Sequence, residues 1–272
     1  MKKAVCGNCF GRDVPLLDAM SMAKAAGFDG IEPSLAFDGP VAIDASEDDL
    51  KRLRDHAEQT VEIHGLMGGQ PIRSAPLTTV DKDEISKGVE NIGKALRVVK
   101  ALGGTSLLVV PGTVSVDVRY DIAYEGTLEG LKQVAPIAED LQIHVAVENV
   151  WNKFLLSPVE MRNLLDEVNS PYVGCYFDVG NFLGWAIPQH WIEILAQRIK
   201  KVHVKDFKVQ VGNMNGFVTL LQGDVDWKAV RASLRSVGYD SYLSAEIPLH
   251  GEFPEKSLLD ISTSLDTIIA SA

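Results

Sequence analysis

Four short apolar runs in the second half of the chain each finish on a side chain that can bind a cation or move a proton. They are VAVE at Glu148, CYFD at Asp178, KVH at His203 and LSAE at Glu246. A carboxylate at the end of a buried strand must be paired or metal-bound, because an isolated charge is costly to remove from water. The four are separated by 30, 25 and 43 residues. The first two intervals are each about one strand–helix unit, and the third holds an extra loop over residues 208–223. If these strand ends meet, three carboxylates repel one another and at least one keeps its proton. A divalent cation removes that conflict and also accepts an imidazole nitrogen. Mixed oxygen and imidazole donors suit one Mn²⁺ first, with Mg²⁺, Co²⁺ or Zn²⁺ as alternatives, and the lack of thiolate argues against a structural zinc. Any one of these side chains alone reads as a cap or an ion-pair partner. It is their matching positions on successive strands that point to a metal.

The elements that must position them alternate from end to end. Strand patterns cover residues 3–9, a short run ending at Glu32, 61–66, 105–110, 143–148, 172–178, 201–207 and 242–247. Helical patterns fall between and after them: 14–26, 47–60, 81–102, 118–140, a helix opening at Ser157-Pro158-Val159-Glu160, 191–199, 227–237 and 255–270. Within 143–148, Ile143, Val145 and Val147 alternate with His144, Ala146 and Glu148, the two-residue period of a strand. Ser157 with Glu160, and Asp81 with Glu84, are helix-start signals. Eight strand–helix pairs in 272 residues, with no Pro/Ser/Gly-rich linker, predict an α/β fold: a single (β/α)8 TIM barrel, one domain over residues 1–272. In such a barrel the C-terminal strand ends converge on one pocket. The rival is an open doubly wound sheet, whose dinucleotide-binding form is disfavoured because no G-x-G-x-x-G follows the first strand.

Composition excludes several classes. The formal net charge of −11 is hostile to a nucleic-acid backbone. No apolar run is long enough to span a membrane, and the first residues read as a strand rather than a signal peptide. These features point to a cytoplasmic protein with a small-molecule partner, no nucleic acid and no membrane. Three cysteines form no disulfide framework, and Cys6 and Cys9 read as reduced thiols. The basic run 198–201 precedes a strand, which puts it on the barrel face away from the chemistry.

The motifs ENVWNKF, YFDVGN and HVKDF, with the terminal AE, resemble the xylose isomerase-like TIM-barrel superfamily of sugar-phosphate isomerases and epimerases. The DVGN and HVKD patterns are most similar to those of pentulose-5-phosphate 3-epimerases. The resemblance implies that Glu148, Asp178, His203 and Glu246 are metal ligands and that Glu148 and Glu246 are the catalytic acid–base pair. Epimerases of free ketoses carry a His where this chain has Asn181, and an Arg near Val209; the departure tilts toward a phosphorylated substrate. Abasic-site endonucleases of the same superfamily use more His ligands and a basic face, which this chain lacks. A homodimer is compatible with such barrels.

The chemistry also follows from the residues. A cation held by these groups polarises a ketose carbonyl and stabilises an enediolate, while two carboxylates exchange the neighbouring proton. This predicts an epimerase or isomerase of a ketose or ketose phosphate. A sugar or polyol dehydratase on the same scaffold and a non-catalytic sugar-binding barrel are the alternatives. Expected substrate contacts are His64, Lys205, Asn149, Asn181, Trp151 and Lys153, with Arg73 and Lys208 on loops of the same face. Glu32, ending the second strand, is expected to touch substrate or pair with a base. His144 is expected inside the barrel, and His56, His190 and His250 at the surface.

Overall fold

The computed structural model describes residues 1–11 and 13–271. Its strands are β1 (Lys2–Cys6), β2 (Gly30–Glu32), β3 (Glu62–Ile63), β4 (Leu66–Met67), β5 (Ser106–Val109), β6 (His144–Glu148), β7 (Val173–Asp178), β8 (Ile199–Val204), β9 (Asp206–Phe207), β10 (Phe217–Val218) and β11 (Tyr242–Ala245). The helices are α1 (Leu16–Ala25), α2 (Glu47–Gln59), α3 (Gly69–Arg73), α4 (Lys82–Ala101), α5 (Tyr120–Leu141), α6 (Pro158–Val168), α7 (Pro188–Leu195), α8 (Trp227–Ser236) and α9 (Pro254–Ala270). One parallel sheet runs β3-β2-β1-β11-β8-β7-β6-β5-β4. Its two ends are consecutive in the chain, separated only by His64 and Gly65, so the sheet closes on itself and the helices wrap it. This is the single TIM barrel that the alternation predicts.

Closure depends on a strand that changes partners. β3 pairs with β2 and β4 pairs with β5, so the expected continuous strand over 61–66 is broken at His64-Gly65. Across the break, His64 N donates to Ile31 O at 3.4 Å and Thr105 N donates to His64 O at 3.1 Å. A Cβ on Gly65 would stand 2.5 Å from Ser106 Oγ, so only glycine lets the chain pass this close to β5.

The helix starts form as their sequences require. Ser157 and Glu160 make a reciprocal capping box with Pro158 in the first turn, and Asp81 accepts from the amides of Asp83 and Glu84. Two boundaries differ from expectation. The helix expected over 191–199 ends at Leu195, because Ala196 adopts a left-handed φ of 48° and Ile199 already opens β8. The strand expected over 201–207 splits after Val204; Asp206–Phe207 leaves the barrel to pair antiparallel with Phe217–Val218. Buried Asp206 holds that departure, accepting from the amides of Phe207 (3.0 Å) and Val225 (3.2 Å) and from Trp227 Nε1 (3.0 Å). All three cysteines are free and buried. Among the described residues no helix is long and apolar enough to cross a membrane.

Between β4 and α4 the chain forms the short helix α3, entered through Gly69 at φ +56°, where a Cβ would lie 1.8 Å from Leu35 O. Gly69→Ala should therefore cost about 1–3 kcal/mol through overpacking alone. A melting temperature lowered by roughly 2–10 °C is the expected calorimetric result.

Candidate active site

The four expected ligands come together. Their donor atoms, one each from Glu148, Asp178, His203 and Glu246, all lie within 4.8 Å of one another. Glu148 and Asp178 are the last residues of β6 and β7, His203 lies in β8, and Glu246 follows β11. Adjacent strands put Asp178 directly in register with His203. His203 Nδ1 faces the acids, 3.5 Å from Glu148 and 3.6 Å from Glu246, with Asp178 at 4.0 Å. Glu148 and Asp178 are buried, and Glu246 keeps 22 % of its side chain exposed, which leaves an opening toward solvent.

The imidazole is oriented from behind. Its Nε2 lies 2.8 Å from Glu32 Oε2. The same carboxylate oxygen accepts from Tyr176 Oη at 2.8 Å, and Cys6 Sγ packs 3.8 Å away. With Nε2–H donated to Glu32, Nδ1 is the nitrogen that faces the cluster, the carboxylate–histidine arrangement that would present its lone pair to a metal in exchange for the Nδ1 proton. Glu32 thus pairs with a base and lies beneath the site, out of reach of a substrate.

Lys205 is the cluster's internal cation. Its Nζ lies 3.1 Å from Asp178 Oδ2 and also contacts Glu246, whereas the neighbouring Asp206 is engaged elsewhere. Electrostatics follow from the crowding. Burial pushes the Glu148 and Asp178 carboxyls above the usual range, outweighing the nearby cations. Burial acts the same way on Glu246, but Lys205 and His203 overcome it and hold this group at about 2. Burial alone would discharge His203; Glu246, Glu148 and Glu32 instead raise it well above the ordinary histidine value.

The donor set fits a divalent cation. His203 Nδ1 is fully buried without a hydrogen-bond partner among the described residues, and Asp178 Oδ2 beside it meets only the Lys205 ammonium, at 3.1 Å. A buried polar nitrogen left unpaired among carboxylates is costly, and a cation bound there would take up both its lone pair and the charge of the acids. A cation there would be held by three carboxylates and one imidazole, with Glu32 behind the imidazole.

Two cavities flank Glu148 and Glu246. One, of about 400 Å³, is lined by Trp151, Asn181, Lys205, Met214 and Phe217. The other, of about 100 Å³, lies toward Asn8, Ser34, Gly68 and Arg73. Trp151 is walled in by Trp185, Phe207 and Phe217, with ring centroids 5.3, 5.9 and 5.5 Å away, and its indole N–H donates to Asn181 O. The β9–β10 ribbon therefore builds one side of the pocket.

Of the expected substrate contacts, Lys205, Asn181 and Trp151 line the pocket. Three others do not. Asn149 is fully buried with both ends of its amide on the Asp178 backbone, accepting from N at 2.7 Å and donating to O at 2.9 Å. It clamps the end of β7. His64 turns into the barrel at the strand break, stacked on Tyr242 at 4.3 Å with Nε2 3.0 Å from Ser244 Oγ. Lys153 sits exposed in a left-handed turn at φ 60°. His144 is only half-buried and stacks on Tyr172 at the opposite face, so it is not an interior group. Asn8 was missed: its Nδ2 donates to Glu246 Oε1 at 3.0 Å. It follows β1, so the strand-end rule that picks out Glu148, Asp178, His203 and Glu246 picks it out too once residues 7–9 are not taken as a continued strand.

The model of the xylose isomerase-like TIM barrel family matches residues 20–267. A Haemophilus influenzae protein provisionally named L-ribulose-5-phosphate 3-epimerase SgbU is 26% identical over 96% of this chain and 94% of its own. The Escherichia coli protein of the same provisional name is 26% identical over 85% of this chain and 83% of its own. Among solved structures, the IolI protein with a bound zinc atom superposes with a TM-score of 0.83 at 17% identity, covering 99% of this chain and 98% of that one. An L-ribulose 3-epimerase gives 0.81 at 17% identity, covering 98% and 94%.

Glu32→Gln should weaken binding of Mn²⁺ by about 10–100-fold, read by calorimetric titration of the folded protein. Loading with Mn²⁺ at a hundred times its dissociation constant should stabilise the chain by about 2.7 kcal/mol. Chelation should then lower the melting temperature by roughly 5–10 °C, and an unchanged melting curve after complete stripping would refute the metal site.

Proposed function

Because the chain belongs to the xylose isomerase-like TIM barrel family, we propose that it is a divalent-metal-dependent epimerase or isomerase acting on a ketose or ketose phosphate. The observation that carries this is the convergence of Glu148, Asp178, His203 and Glu246 between two solvent-connected cavities. The names of the SgbU relatives agree with it. Manganese is the first cation to supply, with zinc, magnesium and cobalt alongside.

When bound, the cation supplies Lewis acidity that makes the proton beside a sugar carbonyl acidic. The chain's own groups do the rest. Glu148 reaches the cavity from β6 and Glu246 from beyond β11, with β7 and β8 between them in the sheet, so the two carboxylates approach a sugar from different sides. One removes the proton from the carbon next to the carbonyl, leaving an enediolate, and the other returns a proton to the opposite face. Glu148 and Glu246 are the candidates for these two roles, either one serving as base while the other serves as acid, since the reaction runs both ways. Asn8 fixes the Glu246 carboxylate through its 3.0 Å hydrogen bond. Lys205 is placed to donate to a substrate oxygen as charge builds there. Trp151 and Phe217 present apolar faces to the sugar's C–H groups and keep water away.

Incubation of the Mn²⁺-loaded protein with ketoses and their phosphates in D₂O, followed by NMR, tests this directly. Deuterium should appear at the carbon next to the carbonyl, and Glu246→Gln should slow its incorporation by about 100-fold or more. A product lighter by one water would identify a dehydratase instead. Full exchange activity in the Glu246→Gln protein would remove that residue from the acid–base role.

A further inference from the structure

Beyond Glu148 and Glu246 two further cavities adjoin one another. Arg73 and Val110 line the small inner cavity of about 100 Å³ beside Glu148 and Glu246, and the same two residues line an outer cavity of about 500 Å³. The aromatic cavity and the inner cavity thus meet at the two carboxylates, and the inner cavity adjoins, at Arg73 and Val110, a larger chamber on the loops after β4 and β5. Small-molecule sites commonly occupy about 300–1,000 Å³. The aromatic cavity of about 400 Å³ already falls in that range. A single ketose bound beside the two carboxylates would need no more than that volume, and a substituent on it could extend toward the outer chamber.

The lining of the chamber identifies its chemistry. Its charged groups among the described residues are Arg73, Glu84 and Asp117, and Thr78 and Thr113 add hydroxyls. Of the nearby charges on the same loops and helices, Lys94 pairs with Asp44 and Glu90 and Arg119 with Asp121, while Lys82, Asp83 and Lys87 form no part of the chamber lining. The chamber therefore carries two carboxylates against one guanidinium. A dianionic phosphate there would face net repulsion, screened only in part by water. A neutral ring with several hydroxyls meets no such penalty, because carboxylates accept its O–H groups, the guanidinium donates to its oxygens, and threonine hydroxyls do either. Apolar Val110 supplies a surface for the ring's C–H face.

We propose that the outer chamber is a subsite for a second, neutral sugar ring, so that the substrate is a ketose carrying a glycosidic substituent rather than a bare monosaccharide or its phosphate. This deepens the function proposed above and presupposes a sugar bound between Glu148 and Glu246. Arg73 sits at the junction of inner cavity and chamber, where it would contact the glycosidic linkage region, and Glu84 and Asp117 would hold the distal ring. Both acids are exposed, so replacing them leaves the barrel core untouched.

The probes are D-fructose, D-fructose 6-phosphate and two ketose-ended disaccharides, lactulose and isomaltulose, titrated by calorimetry into the Mn²⁺-loaded protein. Deuterium incorporation from D₂O is measured on the same samples. At least one disaccharide should bind about ten-fold or more tighter than D-fructose. In the double variant Glu84→Ala/Asp117→Ala that ratio should fall to near one, with an unchanged melting temperature. Equal affinities for disaccharides and fructose, or a ratio unaffected by the double variant, overturn the proposal. Tightest binding of the 6-phosphate, lost in Arg73→Ala, also overturns it and makes the chamber a phosphate site. Disaccharide-selective binding without exchange on any sugar upholds the subsite and refutes the epimerase chemistry, so the two failures are told apart.

Discussion

Everything at the top of this barrel answers one electrostatic problem: three carboxylates and an imidazole are packed within 4.8 Å of one another, mostly out of water. Burial alone would protonate the acids and discharge the histidine, and that arrangement could neither bind a cation nor move a proton in a controlled way. The fold opposes this with fixed partners. Glu32 faces Nε2 of His203, Lys205 bridges Asp178 and Glu246, and Asn8 hydrogen-bonds to Glu246. Glu32 and Asn8 lie 171 and 238 residues from the side chains they touch, and Lys205, two residues beyond His203, pairs with acids at the ends of two other strands. All arrive because a closed parallel barrel delivers the C-terminal ends of its strands to one place.

The supports form layers. Above, the acids open onto the two cavities. Beneath them lie His203, Glu32, Tyr176 and Cys6, all fully buried, with Glu32 Oε2 as the common acceptor. To the sides, Asn149 ties the end of β6 to the backbone of Asp178, and the amides of Gly180 and Asn181 bind Asp178 Oδ1 at 2.9 and 2.8 Å. That leaves Asp178 Oδ2 as the oxygen facing the cluster. His203, Asp178 and Glu246 are thus each oriented by a hydrogen bond to the atom that points away from the cluster, as precise positioning requires.

The pocket walls come from departures from regular barrel structure. The β9–β10 ribbon leaves the barrel after β8 and sets Phe207 and Phe217 against Trp151. Helix α3 follows the partner-changing strand and carries Arg73 to the mouth of the inner cavity. A regular barrel supplies the reacting centre, while these irregular insertions decide what can approach it.

Alternation and helix-start signals in the sequence were enough to place eight strand–helix units, because burial on both faces of a parallel strand and satisfaction of helix-end amides are local demands. Glu148, Asp178, His203 and Glu246 were legible for the same reason: each is a polar side chain that ends an apolar run. The directions of neighbouring side chains were not legible. Asn149 and His64 sit where the backbone stops being a strand, and whether the next residue faces pocket, neighbouring strand or core depends on how the chain turns there. Closure through Gly65, the pairing of Glu32 with His203, and the path of the β9–β10 ribbon join residues far apart in the chain. Only the packed structure decides such contacts, since no local preference of the backbone encodes which distant partner satisfies a buried group.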